Sequence, residues 1–260
     1  MMRFTLQNEE TPQSLKHYLK TKVGPKYSGR QLKKMIESGC AVVNNTIVRH
    51  ASKELSYGDV VQFDATPQKP KINMIYEDEH YLIIDKPPNM LSEEISFRIV
   101  HRLDKDTSGV LLCAKSLEAF KEGQRLFQKR FIEKEYVALV EGTPEEMQGI
   151  VRSEIKGRLA ETRWVLERTK GGISKLLCRP TTGRTHQIRV HLQKIGLPIL
   201  GDDRYGSRSA RVYWAKRQLL HAKRLAFLHP FTKGKIDVCA PLPHDILSAM
   251  QEVFGCQPNY

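Results

Sequence analysis

The spacing of apolar positions predicts two short helices near the beginning of the chain. They span residues 12–22 and about Ser28 to Ser38, and Gly39 stands where a glycine often follows a helix end. The apolar positions are Leu15, Tyr18, Leu19 and Val23 in the first helix and Leu32, Met35 and Ile36 in the second. The second helix carries basic residues on another face, at Arg30, Lys33 and Lys34. We therefore expect a helix pair with one basic surface.

Short β-rich runs follow these helices. The run AVVNNTIV contains two strand candidates around Asn44 and Asn45, a pair that favours a tight turn, and Val60–Phe63 is another strand candidate. Residues 65–71 are polar and hold two prolines, which is typical of a linker. The predicted organisation is a small domain over residues 1–64, a linker over 65–71 and a larger domain over 72–260.

In the larger domain, apolar runs alternate with helical patterns. The runs YLIID, GVLLCAK, EYVALVEG, SKLLCR and IDVCA have the length and composition of strands. A helix is predicted over Ser116–Lys129, with Leu117, Phe120 and Phe127 on one side. This order indicates a mixed α+β domain, whose topology does not follow from pattern alone.

Two polar segments stand out against this background. In HRLDKDTSG, residues 101–109, the last four residues suit a turn, but a turn does not explain His101, Arg102 and Asp104. In CRPTTGRTHQIRVHLQKIGLPILGDDRYG, residues 178–206, Thr185 is placed to cap a helix and Arg184 to contact a phosphate.

At 100° per residue, the helix after TTGRT has two distinct faces. Its predicted buried stripe consists of Ile188, Leu192 and Ile195. The predicted polar face consists of His186, Arg189 and Gln193. This face is either an array of hydrogen-bonding groups or the ordinary outer side of a surface helix, and the segment alone does not decide between them.

Composition excludes several classes of protein. The 260 residues contain no apolar run near the roughly 18 residues that span a bilayer and no signal-peptide pattern, so we expect a cytoplasmic protein. The five cysteines have no metal-ligand spacing, which argues against a zinc site or a disulfide framework.

The positive charge is concentrated in two stretches. The net charge is +13, with 11 Lys or Arg against two Asp in residues 179–224, and 10 basic against 6 acidic residues in residues 1–64. Charge that served only solubility would be spread more evenly. The distribution therefore favours a polyanionic partner such as RNA.

Taken together, the segments resemble two known families. SGRQLKKMIESGCAVVNNTIV with SYGDVVQF is similar to the S4 RNA-binding domain over about residues 11–64. HRLDKDTSG, FIEKEYVALVEG, TGRTHQIRVHL and GDDRYG, together with KPP and LLHAKRLAFLHP, resemble the RluA-type pseudouridine synthases over about residues 72–243. The segment NMLSEEISFRIV between KPP and HRLD is shorter than in most of those relatives.

The resemblance implies a fold, a function and a set of residue roles. The implied fold is a mixed, largely antiparallel sheet with flanking helices. Asp104 would be the essential catalytic residue, Tyr136 would stack near the target base, and Arg189 would pair with Asp104. Arg102 would help to hold the base out of its stack. The further RNA-binding candidates are Arg184, His186, Arg30, Lys33 and Lys34.

Chemistry is consistent with these roles. Moving the uracil bond to ribose C1′ from N1 to C5 involves no net redox change or hydrolysis, so we expect no cofactor and no metal. A carboxylate can attack C1′ or act as a base, and an adjacent guanidinium would favour its charged form. The expected substrate is structured RNA, with ribosomal RNA favoured and transfer RNA as the second candidate, and the expected state is a monomer.

Two alternatives remain open at this point. A catalytically idle RNA-binding factor on the same fold would not need Asp104, Tyr136 and Arg189 together. A metal-dependent nuclease would use a cluster of histidines and a carboxylate. Its candidate ligands are His101, His186, His191 and Asp104.

Overall fold

A computed structural model describes residues 2–6, 13–24, 26–66, 72–207 and 215–255. The chain divides into two compact units, Met1–Lys71 and Ile72–Tyr260. Most of the predicted linker, residues 67–71, lies outside the described residues. Among the described residues, no helix is long and apolar enough to cross a membrane.

The first unit combines two helices with a four-stranded antiparallel sheet. The helices are α1 (Leu15–Val23) and α2 (Gly29–Glu37). The strands are β1 (Met2–Thr5), β2 (Ala41–Val43), β3 (Thr46–Val48) and β4 (Val60–Phe63), in the order β1-β4-β2-β3. The sequence did not predict β1, an edge strand of four residues whose side chains are mostly exposed.

Local signals explain where these elements begin and end. Ser28 and Gln31 form a reciprocal capping box at the start of α2, and Gly39 follows its end with φ 90°. Asn44 and Asn45 have φ 48° and 63°, which is the backbone of a tight hairpin turn. The predicted second helix, the predicted hairpin and the strand predicted at Val60–Phe63 are confirmed. The first helix begins at Leu15, three residues later than predicted, after the cap residue Ser14.

The second unit is built around a ten-stranded sheet. Its main path runs in the order β10 (Gln148–Ile155), β11 (Arg158–Lys170), β12 (Ile173–Pro180), β9 (Glu133–Glu141), β13 (Leu220–Leu228), β8 (Ser108–Ala114), β6 (Tyr81–Lys86) and β5 (Asn73–Glu77), with β14 (Lys235–Cys239) beside β13 and β7 (Arg98–Ile99) beside β8. All pairings are antiparallel except β13 with β8. The predicted α+β class with a mixed, largely antiparallel sheet is confirmed.

Ten strands and three α-helices make up this unit as described. The helices are α3 (Leu117–Gln128), α4 (Gln187–Lys194) and α5 (His244–Phe254), with a 3-10 turn at Ser92–Glu94. The five strands predicted in this domain correspond to β6, β8, β9, β12 and β14, and the helix predicted over Ser116–Lys129 corresponds to α3.

Helices cover both faces of the central strands. Ala138 belongs to a core cluster that includes Leu192 of α4, whereas the next residue, Leu139, belongs to a cluster with Ile246 of α5. Successive side chains of a strand point to opposite faces. It follows that α4 and α5 pack on opposite sides of β9.

Phe120 and Phe127 of the predicted apolar side of α3 pack against the core, whereas Leu117 does not. Leu117 is largely exposed, whereas Ala119 and Gly123 are buried. A Cβ at Gly123 would lie 2.8 Å from a side-chain carbon of Val100, so small residues allow the helix to approach the strands closely. The apolar pattern alone did not reveal this, because it gives more weight to large side chains.

Glycine permits a second close approach beside the polar motifs. Gly109, at the end of HRLDKDTSG, has φ +113°, and a Cβ there would lie 2.2 Å from the carbonyl oxygen of Ala222. Any side chain would therefore collide with β13. This glycine lets β8 lie directly against β13, which fixes the position of the polar loop before it.

Candidate active site

A cleft of about 910 Å³ opens in the second unit, beside the ends of β8 and β9. Its walls come from the Asp104 loop (residues 100–107, between β7 and β8), from residues 180–189, and from Tyr136 of β9. Both polar segments identified in the sequence therefore meet in one place.

Main-chain and side-chain hydrogen bonds hold the Asp104 loop in place. Inside the loop, Thr107 N donates to the carbonyl oxygen of Asp104 at 3.0 Å. The buried Lys86 Nζ donates to the carbonyl oxygens of Pro87, Met90 and Lys105 at 2.9, 2.8 and 3.0 Å. Burial lowers the pKa of Lys86 to about 7. The lysine of the KPP motif thus ties that segment to the loop.

Arg189 connects the two segments. Its Nη1 donates to Asp104 Oδ2 at 3.1 Å, although the two residues are 85 positions apart in the chain. The side chain of Asp104 is 24% exposed and that of Arg189 is 6% exposed. The predicted pairing of carboxylate and guanidinium is present in the structure, with the carboxylate accessible from the cleft. The catalytic role assigned to each residue stays a prediction.

A second carboxylate, Asp202, fixes the orientation of this guanidinium. It accepts from Arg189 Nε at 2.7 Å and from Nη2 at 2.8 Å, and its side chain is fully buried. Its Oδ1 also accepts from the backbone N–H groups of Arg204 and Tyr205. Burial would raise the pKa of Asp202, but the hydrogen bonds from Arg189 and the backbone hold it below its ordinary value.

These charges also act on the arginine. Burial alone would lower the pKa of Arg189, yet Asp202 and Asp104 raise it above its ordinary value. Arg189 is therefore a permanent cation with a fixed orientation, and one nitrogen is directed at Asp104. The GDDRYG motif supplies the residue that holds it, a role that the sequence alone does not reveal.

The helix carrying Arg189 differs from the predicted one. It begins at Gln187, preceded by His186 in the left-handed region at φ 55°, so Thr185 is not its N-cap. Ile195 follows the helix end and is exposed, and Arg189 is buried rather than part of an outer polar face. Pairing with buried Asp202 makes burial of the arginine tolerable.

Gln187 holds the loop ahead of the helix in place. Its Oε1 accepts from Thr182 Oγ1 at 2.7 Å and from Arg184 N at 3.0 Å, and its Nε2 donates to Glu161 O and Thr162 Oγ1. Thr182, Arg184 and Gln187 all line the cleft. No pattern in the sequence indicates this role, because a glutamine inside a helical pattern is usually a surface residue.

Tyr136 and His186 line the same cleft. Burial raises the pKa of Tyr136, and the Asp104 charge raises it further, so its hydroxyl stays protonated. His186 Nδ1 lies 3.2 Å from Tyr205 Oη and its Nε2 lies 3.9 Å from Asp104 Oδ1. Burial lowers the pKa of His186, and the charge of Asp104 offsets this only in part. The cleft therefore offers an uncharged aromatic ring and an uncharged imidazole near the Asp104 carboxylate.

The predicted cationic contacts lie around the mouth of the cleft. Arg102 is 72% exposed and its Nε donates to Glu93 Oε1 at 2.8 Å. Arg184 Nε donates to the carbonyl oxygen of Leu159 at 3.3 Å. Lys134, which sequence reasoning had not singled out, also lines the cleft and donates to Thr182 O at 3.1 Å. Two arginines and a lysine thus line the cleft.

The histidines proposed as metal ligands do not converge. His101 Nε2 accepts from Leu112 N at 3.1 Å, and burial lowers the pKa of His101 to about 3. His191 is buried, with Nδ1 at 2.9 Å from Thr162 Oγ1. Within the described ranges, no group of three or more His, Cys, Asp or Glu is arranged to hold a metal ion.

In the first unit, the three basic residues of α2 are exposed. Arg30, Lys33 and Lys34 point to solvent, and Lys33 Nζ lies 3.8 Å from Glu37 Oε1. An exposed pair at this distance contributes little to stability. These side chains are therefore available for a partner.

Comparison with known proteins identifies the family to which this chain belongs. A sequence model described as RNA pseudouridylate synthase matches residues 80–194, which include Asp104, Tyr136 and Arg189. The chain is 32% identical to the ribosomal large subunit pseudouridine synthase D of Xanthomonas campestris, over 88% of this chain and 86% of that protein. The chain belongs to the RNA pseudouridylate synthase family.

Further members of the family support this assignment. The chain is 31% identical to the ribosomal large subunit pseudouridine synthase C of Vibrio cholerae, over 85% of this chain and 87% of that protein. It is 35% identical to the dual-specificity RNA pseudouridine synthase RluA of Escherichia coli, over 67% of this chain and 95% of that protein. The predicted RluA-type synthase is confirmed.

A solved structure shares this fold. The human RNA Pseudouridylate Synthase Domain Containing 1 covers 67% of this chain and 86% of its own, with a TM-score of 0.59 and 27% identity. The S4-like character predicted for the first unit is not tested by these matches and stays a prediction.

Proposed function

We propose that this chain isomerises uridine to pseudouridine in structured RNA, with Asp104 as the catalytic carboxylate. The observation that supports this most strongly is the accessible Asp104 carboxylate held at 3.1 Å from Arg189 Nη1 in an open cleft. The membership of the chain in the RNA pseudouridylate synthase family supports the same reaction.

The reaction requires one bond to be exchanged for another. The bond between ribose C1′ and uracil N1 breaks, the base turns, and C1′ bonds to C5. C5 then loses a proton and N1 gains one, so no atom is added or removed. Asp104 serves this exchange either as a nucleophile at C1′ or as the group that stabilises positive charge there and moves the proton.

Each neighbouring group has a physical task in this proposal. Arg189 keeps the Asp104 carboxylate charged and oriented, because its guanidinium is itself fixed by Asp202. The Tyr136 ring offers a stacking surface for the base, an interaction of about 1–3 kcal/mol in single-strand recognition. Its protonated hydroxyl adds no second negative charge beside Asp104.

The target nucleotide must leave its stack to reach Asp104, at a cost of a few kcal/mol. We assign Arg102, at the mouth of the cleft, to holding the extruded base, and Arg184 and His186 to contacts with the RNA near the cleft. Lys134 is a further cation for the phosphate backbone there. Phosphate contacts of this kind offset the cost of extrusion.

We propose ribosomal RNA of the large subunit as the substrate. Two of the relatives are named as synthases of the large ribosomal subunit. Transfer RNA is the second candidate, since another relative is named as having dual specificity. We further propose that the protein acts as a cytoplasmic monomer and that the first unit is an S4-like domain that binds RNA through Arg30, Lys33 and Lys34.

The test is direct nucleoside analysis. Transcribed ribosomal RNA carrying labelled uridine is incubated with the protein, digested, and separated by chromatography. The wild type and the variant Asp237→Asn should yield pseudouridine, whereas Asp104→Asn should not. Asp237 is a suitable control, because it also accepts from an arginine, Arg224, at 2.6 and 2.7 Å but lies on β14 and does not line the cleft.

The RNA class is decided separately. Mapping pseudouridine in total RNA from cells with and without the gene should show loss of a site in large-subunit ribosomal RNA. Loss in transfer RNA alone would replace that substrate. Tight RNA binding with no pseudouridine in any RNA class would instead support a catalytically idle RNA-binding factor.

A further inference from the structure

The Asp104 loop and the first residue of the strand after it are held by a second segment, residues 217–221. Arg217 Nη1 donates to the carbonyl oxygen of Asp106 at 2.8 Å. Gln218 Nε2 donates to Thr107 Oγ1 at 3.2 Å, and His221 Nδ1 lies 2.9 Å from Ser108 Oγ. Three polar side chains of one segment thus bind three consecutive residues. None of these side chains was predicted as functional.

Arg217 is the centre of this arrangement. It is buried, and its Nη1 also donates to the carbonyl oxygens of Gln218 and Leu220 at 2.9 and 3.3 Å. Its Nε and Nη2 donate to the carboxylate of Asp245 at 2.6 and 2.9 Å. Asp245 lies in the first turn of α5. One guanidinium therefore joins the Asp104 loop to α5, the helix that packs on the side of β9 opposite α4.

We propose that Arg217 and Asp245 are positioning residues for Asp104. The inference rests on the proposed catalytic role of that carboxylate and deepens it. Asp245 fixes the plane of the guanidinium through two parallel hydrogen bonds, and the guanidinium then fixes the carbonyl of Asp106, two residues after Asp104. Arg217 does not line the cleft, so it acts through the loop rather than on the RNA.

The expected effect follows from the geometry of catalysis. The loop is anchored by Lys86 at Lys105 O on one side and by Arg217 at Asp106 O on the other. When one anchor is removed, Asp104 can move relative to the bound nucleotide. A displacement of about 1 Å can lower a rate by about 100-fold without affecting substrate binding. A lysine at position 217 keeps the charge but cannot bind Asp245 and the loop carbonyl with the fixed fork of a guanidinium.

The experiment compares Asp245→Asn, Asp245→Glu and Arg217→Lys with the matched control Asp237→Asn. Asp237 forms a two-bond pair with Arg224 on β13, and neither residue is among those lining the cleft. The measurements are the single-turnover rate on labelled ribosomal RNA, the RNA Kd, and amide hydrogen exchange of residues 104–108. All are made well below the unfolding temperature of each variant.

We expect Arg217→Lys to lower the single-turnover rate between about 10-fold and 100-fold, and Asp245→Asn to lower it by at least about threefold. The RNA Kd should stay within about twofold of the wild type, and exchange at residues 104–108 should accelerate. Asp245→Glu, which keeps the carboxylate, should be closer to the wild type than Asp245→Asn. The control should match the wild type in rate and in exchange.

Two results would overturn the inference. One is a wild-type rate and wild-type loop exchange in both Asp245→Asn and Arg217→Lys. The other is a rate loss of the same size in Asp237→Asn, which would indicate general destabilisation. An inactive wild type would contradict the proposed function instead, and the hydrogen exchange of the loop would still report whether Arg217 and Asp245 hold it.

Discussion

Removal of the Asp202 charge should lower the free energy of unfolding more than any other single change near the cleft. In Asp202→Asn, one oxygen that accepts from Arg189 becomes an amide that donates, so two donors face each other in a buried site. Breaking a buried ion pair by removing one partner costs about 3–5 kcal/mol. Arg189 retains its bond to Asp104, so we expect the lower end of that range, about 3 kcal/mol.

The assay is reversible thermal or denaturant unfolding of both variants at Asp202 and Asp203. For a protein of this size, about 3 kcal/mol corresponds to a decrease in Tm of about 6–12 °C. Asp203→Asn is the matched control, because its carboxylate lies 3.4 Å from the same guanidinium but is 87% exposed. An exposed pair contributes about 0–1 kcal/mol, so this variant should unfold close to the wild type.

The pH dependence gives a second readout. The folded-state pKa of Asp202 lies below its unfolded value of about 3.9, so its stabilising effect is present above that pH and is lost as the pH falls through the folded-state pKa. The stability difference between the wild type and Asp202→Asn should therefore shrink below about pH 4. Equal loss of stability in Asp202→Asn and Asp203→Asn, or a difference that does not change with pH, would refute this reasoning.

Three further predictions concern the loop, its anchor and the first unit. Asp104→Asn should abolish pseudouridine formation with RNA affinity nearly unchanged, since the amide keeps the shape but not the charge; product formation at the wild-type rate would contradict this. Replacing Arg30, Lys33 and Lys34 together by Gln should weaken RNA binding and reduce the slope of log K against log salt, by about 0.7–0.9 for each phosphate that is no longer bound; an unchanged slope would exclude α2 from the interface. Lys86→Met should destabilise the protein. Because the folded-state pKa of Lys86 is about 7, well below its unfolded value, the difference in unfolding free energy in favour of the wild type should grow as the pH rises from about 7 to 10. Chemical denaturation across this pH range tests the sign of this change.

Much of the fold follows from short-range signals. The capping box of Ser28 and Gln31 and the turn at Asn44 and Asn45 involve neighbours in the chain, so the sequence locates these elements within a residue or two. The sequence did not predict β10 and β11, because these strands carry charged residues, such as Arg152 and Glu161, at their outward-facing positions. These two pair across the strands at 2.7 Å, a contact that exists only once the hairpin has formed.

The catalytic candidates were identified by residue type and motif, but their supports were not. Arg189 was predicted on the polar face of its helix, opposite the buried stripe, and it is itself buried because Asp202, 13 positions later, supplies the matching charge. Nothing in the local pattern distinguishes Asp202, which is buried, from Asp203, which is exposed. Lys86 and Arg217 likewise look like surface residues in the sequence, yet both are buried donors to main-chain carbonyls.

Periodicity and capping residues in the sequence were enough to place most helices and strands, and motifs were enough to select Asp104, Tyr136 and Arg189, which the structure brings to one cleft. Which charged groups are buried, and which of them meet, depends on the folded chain. A buried charge is stable only beside a partner of opposite charge or several hydrogen-bonding groups, and here those partners come from distant parts of the chain. Asp104 and Arg189 are 85 positions apart in the chain, and it is the folding of the sheet rather than any local pattern that brings them together.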